Sequence, residues 1–181
     1  MKVFTLGTAD RQHYEFTKIL NKHGIQVIFD VRRSPASPQS PQFSRDSLQR
    51  LCASQNTDYI YLGNDLGGPP GVELRPHEER RREKGERRNS SFVLYPLSFI
   101  LSSWLASNEF KRCLGIIAGK AERRVTCVLC TERLPSNCHR MFFSDALSAR
   151  GFEIVHILDE AGLWVPPQSR PRRVSEKRNR K

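Results

Sequence analysis

Short apolar runs alternate with amphipathic segments along most of this chain, and this alternation restricts the fold more than any other feature. The apolar run at residues 3–6 precedes a helical pattern at 12–23, in which Phe16, Ile19 and Leu20 recur at helical spacing. The other strand-like runs lie at residues 25–31, 59–62, 125–130 and 152–157. Strands that alternate with helices build β-α-β units and a parallel sheet. We therefore predict an α/β fold, a single domain with a mostly parallel sheet of about five strands flanked by helices.

Three residues mark predicted helix ends. Gly24 follows the first helix and supplies a stop signal. Ser44 is placed to cap the next helix. Gly151 ends a helix that the sequence predicts at residues 138–150.

Most of the positive charge is concentrated in two segments. The 181-residue chain has a net charge of +11. Residues 75–88 contain seven basic and four acidic residues, residues 170–181 contain seven basic and one acidic, and these segments carry +3 and +6. We predict an α/β domain at residues 1–160 with a charged insertion near 72–91, followed by a basic tail at 161–181. The tail has too little apolar surface to offset the entropy of ordering, so we expect it to be disordered.

The distribution of apolar residues and cysteines argues against membrane and secreted classes. The sequence has no apolar run near the roughly 20 residues that cross a bilayer, and its start lacks the pattern of a secretion signal. Its five cysteines are an odd number, which argues against a disulfide framework. We expect a cytoplasmic protein without membrane contact.

Polar and glycine residues follow several of the predicted strands at the point where each strand ends. In an open parallel sheet the carboxyl ends of the strands meet at one rim, and ligands bind in the crevice there. The site residues that we predict at this rim are Thr8, Asp30, Arg32, Arg33, Phe43, Gly67, Gly68, Cys130, Glu132, Cys138, His139 and Arg140.

The segment after the fourth strand is the most informative part of the chain for chemistry. Ser136 or Asn137 is placed to cap the following helix, which would put Cys138, His139 and Arg140 in its first turn. The unpaired N–H groups and positive dipole of a helix start favour an anion and lower the pKa of a cysteine. We therefore predict Cys138 and His139 as catalytic residues.

Four charged side chains have predicted roles at the same rim. Arg32 and Arg140 are predicted to bind an anionic substrate through bidentate guanidinium contacts. Asp30 and Glu132 are predicted to transfer protons or to hold a substrate hydroxyl or amine. The alternative for Asp30 is a structural ion pair with Arg32, and the sequence leaves that alternative open.

The cysteines admit a zinc interpretation, which strand geometry disfavours. Cys127 and Cys130, followed by Cys138 and His139, superficially supply zinc ligands. Side chains three positions apart on a strand point to opposite faces, so Cys127 and Cys130 should separate. We expect Cys127 in the core, and neither a metal nor a cofactor in the site.

Five short motifs follow one another along the chain. They are Thr5-Leu6-Gly7-Thr8, Asp30-Val31-Arg32-x-x-Pro35, Pro41-Gln42-Phe43, Tyr61-Leu62-x-x-x-Leu66-Gly67-Gly68 and Cys130-x-Glu132-x5-Cys138-His139-Arg140. In this order they resemble the domain-of-unknown-function 488 family, over residues 3–157. The resemblance implies a helix and sheet sandwich, and it connects the chain with nucleic-acid processing, including repair of damaged bases. The chain departs from the family pattern at Thr8-Ala9-Asp10, where His-Ser-Asn is common, so no histidine role carries over to that loop.

Three functional hypotheses follow. The first is a nucleic-acid-processing enzyme that acts on a base or its glycosidic bond, a hydrolase of the DNA-glycosylase kind. Its basic segments would bind the phosphates of DNA or RNA, and Tyr61, Phe43 or Trp164 would stack on an extruded base. The second is a thiol enzyme on a small anionic substrate with Cys138 as the nucleophile. The third is a non-catalytic module that binds a nucleotide or nucleic acid.

Overall fold

The computed structural model describes residues 1–35, 40–69 and 97–167, except for the side chains of 97–99 and 137. The predicted charged insertion near 72–91 and residues 168–181 of the predicted tail lie outside these ranges. The strands of the described chain are β1 (Lys2–Gly7), β2 (Val27–Asp30), β3 (Asp58–Tyr61), β4 (Thr126–Cys130), β5 (Glu153–Ile157) and β6 (Leu163–Trp164). The helices are α1 (His13–Lys22), α2 (Arg45–Ser54), α3 (Gly63–Leu66), α4 (Leu97–Ala106), α5 (Asn108–Ala121) and α6 (Arg140–Ser148). None of these helices is long and apolar enough to cross a bilayer.

The strands form one sheet in the order β3-β2-β4-β1-β5-β6. All pairings from β3 to β5 are parallel, and β6 alone runs antiparallel to its neighbour β5. The predicted α/β fold with a mostly parallel sheet is confirmed.

The sixth strand lies in the segment that the sequence analysis assigned to the tail. It pairs Trp164 with His156 of β5. The chain reverses before it at Asp159, whose Oδ1 accepts hydrogen bonds from the N–H groups of Ala161, at 2.9 Å, and Gly162. A strand of two residues has no measurable periodicity. Its formation depends on this turn and on the free edge of β5.

The predicted helix ends at Gly24, Ser44 and Gly151 are confirmed. Gly24 follows α1 with φ +60°, and Gly151 follows α6 with φ +89°. Both values lie in the left-handed region that glycine adopts without strain. The Ser44 hydroxyl accepts a hydrogen bond from the Ser47 N–H at 3.3 Å and so caps α2.

Helices cover both faces of the sheet, so β4 lies between two cores. The core beneath α1 and α2 contains Phe16 and Leu48. The core beneath α4, α5 and α6 contains Phe143. Along β4, Cys127 belongs to the first core and Cys130 to the second. The predicted separation of these two cysteines is confirmed.

The chain connections diverge at the carboxyl end of β4. The chain leaves β1 and β2, the two neighbours of β4, toward α1 and α2 on one face. It leaves β4 itself toward α6 on the opposite face. Divergent connections of this kind open a crevice at the carboxyl ends of an α/β sheet. The residues that follow β4 therefore lie where this fold offers room for a ligand.

Candidate functional site

The connection from β4 to α6 differs from the sequence prediction. Pro135–Asn137 forms a short 3-10 helix, closed by a hydrogen bond of 3.1 Å from the Cys138 N–H to the Pro135 carbonyl. Cys138 is extended, with φ −133° and ψ 142°, and α6 begins only at Arg140. The prediction that Cys138 lies in the first helical turn is therefore wrong. Pro135 gives the reason, because its fixed φ favours the first position of a separate helical turn upstream.

The cap of α6 also differs from the prediction. The N-cap position is occupied by His139, not by Ser136 or Asn137, and the His139 side chain makes no capping hydrogen bond. The helix instead begins with a backbone bond of 3.1 Å from the Met141 N–H to the Cys138 carbonyl. The His139 ring instead contacts the Val31 carbonyl after β2 and the Cys130 sulfur at the end of β4.

Cys130, Cys138 and His139 form a compact cluster at the end of β4, and all three are predicted site residues. Their sulfur and ring nitrogen atoms lie within 4.8 Å of one another. His139 Nε2 lies 3.1 Å from the Val31 carbonyl, and His139 Nδ1 lies 3.5 Å from Cys130 Sγ. A carbonyl oxygen only accepts hydrogen bonds, so Nε2 carries the hydrogen of that contact. In the neutral ring, Nδ1 is then a proton acceptor that faces the Cys130 sulfur.

The two thiols of the cluster have opposite pKa shifts. A hydrogen bond from the Cys130 thiol is the main cause that lowers the pKa of Cys138 to about 4, against the effect of burial, and the charge of Arg140 acts in the same direction. Burial, together with the hydrogen bond to Cys138, raises the pKa of Cys130 well above its ordinary value. Both cysteines are free. These opposite shifts favour the thiolate at Cys138 and the protonated thiol at Cys130.

Arg140 supplies positive charge from beneath the cluster and does not reach solvent. Its side chain is fully buried. Nη1 donates to the Glu132 carbonyl, and Nη2 donates to the Arg133 carbonyl at 2.7 Å. These contacts tie the loop after β4 to the start of α6. They differ from the predicted bidentate contact with an anionic substrate, because the guanidinium already faces the carbonyls of its own loop.

The loop after β4 packs directly against the backbone of Gly7 at the end of β1. A Cβ atom on Gly7 would collide with the Glu132 carbonyl. The N–H groups of Thr8 and Ala9 donate to the carbonyls of Cys130 (2.9 Å) and Thr131 (2.8 Å). Thr8, a predicted substrate-binding residue, is buried against this loop.

Asp30 and Arg32 form a closed ion pair at the end of β2. Arg32 donates to Asp30 Oδ1 from its backbone N–H at 3.0 Å and from Nε at 2.9 Å, and Nη2 donates to Oδ2 at 2.6 Å. The Tyr59 hydroxyl adds a bond of 2.6 Å to Oδ2. Both side chains of the pair are buried. The sequence left open whether Asp30 transfers protons or forms a structural ion pair with Arg32. These contacts favour the structural ion pair.

The electrostatics of the pair agree with that interpretation. Burial acts to lower the pKa of Arg32, but the hydrogen bonds and charge of Asp30 outweigh it and raise that pKa. Burial and the charge of Asp30 raise the pKa of Tyr59. Sequence reasoning missed Tyr59, because its contact depends on the register of β3 against β2, which places Tyr59 beside Ile28.

Residues 12–147 match the family model described as domain of unknown function DUF488. The chain belongs to the DUF488 family. The resemblance inferred from the five motifs is thereby confirmed, and the matched range includes both the Asp30 pair and the thiol cluster. No curated protein and no solved structure matches the chain.

Three predicted substrate-binding residues of this DUF488 chain meet beside β3. Arg33 donates from Nε to the Gly67 carbonyl at 3.2 Å and from Nη2 to the Gly68 carbonyl. Arg33 and Gly68 line a cleft of about 760 Å³, together with Asp65 and Trp104. The cleft adjoins the thiol cluster through aromatic side chains, since Trp104 packs on Phe143 and Phe143 packs on His139.

The aromatic residues predicted to stack on a base have different surroundings. Phe43 is buried in the core and packs edge-on against Phe16, so its predicted contact with a substrate is not available in this structure. Tyr61 is half-buried, and the Arg45 guanidinium lies 4.5 Å from the centre of its ring. Trp164 remains partly exposed and stacks on His156 at 5.0 Å.

Glu132 and Arg11 complete the rim of the DUF488 sheet. Glu132, a predicted catalytic residue, is exposed in the loop after β4. Arg11 is not among the predicted site residues. It is buried, and it donates to the Gly7 carbonyl at 2.7 Å and to the Leu158 carbonyl at 2.6 Å. It thereby joins the ends of β1 and β5. Its spacing of four residues from Glu15, with which it pairs, was the available signal.

The thiol cluster also has the donor types of a metal site. Within the described ranges, Cys130, Cys138 and His139 are the group of side chains whose donor atoms lie close enough to hold an ion. Two sulfurs and one imidazole nitrogen suit a soft ion such as Zn²⁺ and would leave a fourth position open. Cys127, the remaining cysteine of the zinc interpretation, points into the opposite core.

Proposed function

We propose that this protein is a thiol-dependent enzyme in which the Cys138 sulfur attacks a small anionic substrate at the carboxyl end of β4. One observation carries the proposal: the Cys138 sulfur accepts a hydrogen bond from Cys130 and lies beside His139 at the crevice of the sheet. A thiolate is the nucleophilic form of cysteine, and neighbouring donors and positive charge stabilise it.

The preference for an anionic substrate follows from the positive charge around the sulfur. Arg140 lies beneath the cluster, and its described hydrogen bonds go to neutral carbonyls, which do not cancel its charge. The start of α6, a helix of nine residues, adds the positive end of its dipole. An anionic group that binds above Cys138 would be attracted by both. The two thiols would stay reduced in a compartment such as the cytoplasm, which we propose as the location.

Alkylation with iodoacetamide near neutral pH tests the proposal. We expect Cys138 to react faster than Cys52, which is fully buried and whose pKa burial raises to about 12. Peptide mass spectrometry over time separates the two sites. Cys138→Ser should remove the fast phase, whereas the matched variant Cys113→Ser should keep it. Equal or slower reaction at Cys138 would contradict the proposal.

A second candidate function is the nucleic-acid-processing enzyme, a hydrolase acting on a base or its glycosidic bond in the manner of repair enzymes. The observation that favours it is the concentration of charge, since residues 75–88 and 170–181 carry +3 and +6 of the net +11. Basic segments of this kind bind phosphates without sequence preference. With Asp30 held by Arg32, the exposed Glu132 is the carboxylate that such a mechanism would use to activate water.

Incubation with a panel of damaged-base oligonucleotides tests this second candidate. We expect salt-sensitive binding by the full chain, and loss of turnover with retained binding in Glu132→Gln. Turnover that persists in both Asp30→Asn and Glu132→Gln would contradict a carboxylate mechanism.

A further inference from the structure

The thiol cluster contains two sulfur atoms, and the proposed attack by Cys138 uses only one of them. Cys130 ends the central strand β4, and its side chain is 3% exposed. Cys138 lies in the loop eight positions later, and its side chain is 7% exposed. Of the other cysteines, Cys52 and Cys127 lie in the opposite core, and the Cys113 sulfur contacts Asp65 Oδ2 at 3.5 Å.

We infer that Cys130 is the second thiol of a redox-active pair, and that the site exchanges its dithiol with small disulfide substrates. The inference rests on the proposed function, because it requires Cys138 as the attacking sulfur. It goes further by naming the class of substrate and by giving the buried Cys130 a chemical role.

The exchange proceeds in two balanced steps. The Cys138 thiolate attacks one sulfur of a disulfide RSSR, which forms a mixed disulfide on Cys138 and releases one thiolate RS⁻. Cys130 then loses its proton, and its sulfur attacks the sulfur of Cys138. This second step forms the Cys130–Cys138 disulfide and releases the second RS⁻. The pair is oxidised, the small disulfide is reduced to two thiols, and an added dithiol returns the pair to its reduced form.

The geometry of the cluster suits the second step. Cys130 must give up its proton before it attacks, and His139 Nδ1 lies 3.5 Å from its sulfur. The contact of His139 Nε2 with the Val31 carbonyl, at 3.1 Å, holds Nδ1 in the orientation that accepts this proton. The two sulfurs lie within 4.8 Å, so a short movement of the loop brings them to the bonding distance of about 2 Å.

The same contacts favour the reduced form of the pair. A disulfide cannot accept a hydrogen bond as a thiolate does, so its formation forfeits the bond from Cys130 to Cys138 and the attraction of Arg140. Stabilisation of the reduced form makes the corresponding disulfide a strong oxidant. An excess of the small disulfide is therefore needed to oxidise the pair, and an external dithiol should reduce the oxidised pair readily.

Treatment of the full-length reduced protein with a large excess of oxidised glutathione tests the inference. After trapping of free thiols with iodoacetamide, we expect peptide mass spectrometry to find a Cys130–Cys138 disulfide that dithiothreitol reverses. Cys130→Ser should stop at glutathione bound to Cys138, and Cys138→Ser should form neither product. Cys113→Ser, the matched control, should behave as the wild type.

The outcomes separate the inference from the proposed function. If Cys138 is alkylated rapidly but the wild type stops at the mixed disulfide, the proposed function stands and the inference fails. If Cys138 reacts with neither reagent, both fail. If the purified protein carries one zinc ion per chain and resists oxidised glutathione until a chelator removes it, the redox pair is overturned in favour of a metal site. The wild-type arm decides these cases even where a serine variant does not fold.

Discussion

Two polar clusters lie at the carboxyl ends of the adjacent strands β2 and β4, and they handle charge in opposite ways. At the end of β2, the charges of Asp30 and Arg32 meet in a buried pair that the Tyr59 hydroxyl completes. At the end of β4, the Cys130 thiol and the charge of Arg140 lower the pKa of the buried Cys138. The first arrangement satisfies its charges internally and stabilises the rim. The second leaves a thiol of lowered pKa beside the crevice, and perturbed pKa values of this kind cluster at functional sites.

Asp30→Asn should break the first cluster and have the largest effect. The substitution leaves the Arg32 guanidinium buried without a counter-charge and brings an amide N–H against it. We expect the free energy of unfolding to fall by about 3–5 kcal/mol. Urea denaturation measures the change. A loss below about 1 kcal/mol would show that the pair is not structural.

Tyr59→Phe should weaken the same cluster without breaking it. The change removes one hydrogen bond to the Asp30 carboxylate, while Arg32 stays in place. A hydrogen bond to a charged group contributes about 1.5–3 kcal/mol to stability. The matched control is Tyr61→Phe, whose hydroxyl donates to the neutral Arg33 carbonyl and should cost about 0.5–1 kcal/mol. Equal losses in the two variants would contradict the special role of Asp30.

The pH dependence of Cys138 alkylation should sharpen the contrast between the clusters. The pKa of Cys138 is lowered to about 4, so the reactive thiolate persists as the pH falls and is protonated only near that value. We expect the rate to stay nearly constant from about pH 8 to about pH 5, then to fall about tenfold for each unit below 4. The rate of Cys138 alkylation is measured by peptide mass spectrometry of samples quenched at a series of times. A midpoint near the ordinary thiol pKa of about 8.5 would refute the thiolate.

Asp58→Asn should have the smallest effect, although it also removes the aspartate of an ion pair with arginine. Asp58 pairs with Arg124 at the surface, where the Asp58 side chain is 54% exposed. Exposed pairs contribute about 0.2–1 kcal/mol. Urea denaturation of Asp58→Asn and Asp30→Asn therefore compares the loss of stability from removing an aspartate–arginine pair at the surface and in a buried position. Similar losses in the free energy of unfolding of both variants would show that burial does not determine how much such an ion pair stabilises the protein.

The sequence predicted the sheet well, because the sheet depends on local patterns. The β-branched and apolar runs marked the buried parallel strands, and side-chain alternation correctly placed Cys127 and Cys130 in different cores. The rule that polar residues collect at carboxyl strand ends predicted that Cys130, Cys138 and His139 lie close together, as they do in the structure.

The remaining details depend on contacts between distant parts of the chain. Helix α6 begins later than predicted because Pro135 starts a separate short helical turn. Arg32 and Arg140 do not have the predicted substrate-binding geometry because each guanidinium has hydrogen-bond partners inside the fold. Phe43 resembles a surface aromatic in a proline-rich loop, yet it packs into the core against Phe16. No local sequence pattern shows whether a polar or aromatic side chain contacts a buried residue of the same protein or a substrate.

The absence of a side chain at Gly7 links the reactive sulfur to the geometry of the whole sheet. Because the Glu132 carbonyl occupies the space that a Cβ atom on Gly7 would fill, the alignment of β1 with β4 sets the position of the segment that ends at Cys138. Any substitution that slides one strand along the other, even from the far side of the core, would therefore shift the segment that carries Cys138, the nucleophile of the proposed function. The position of that sulfur depends on the backbone of a neighbouring strand, which itself contributes no side chain to the thiol cluster.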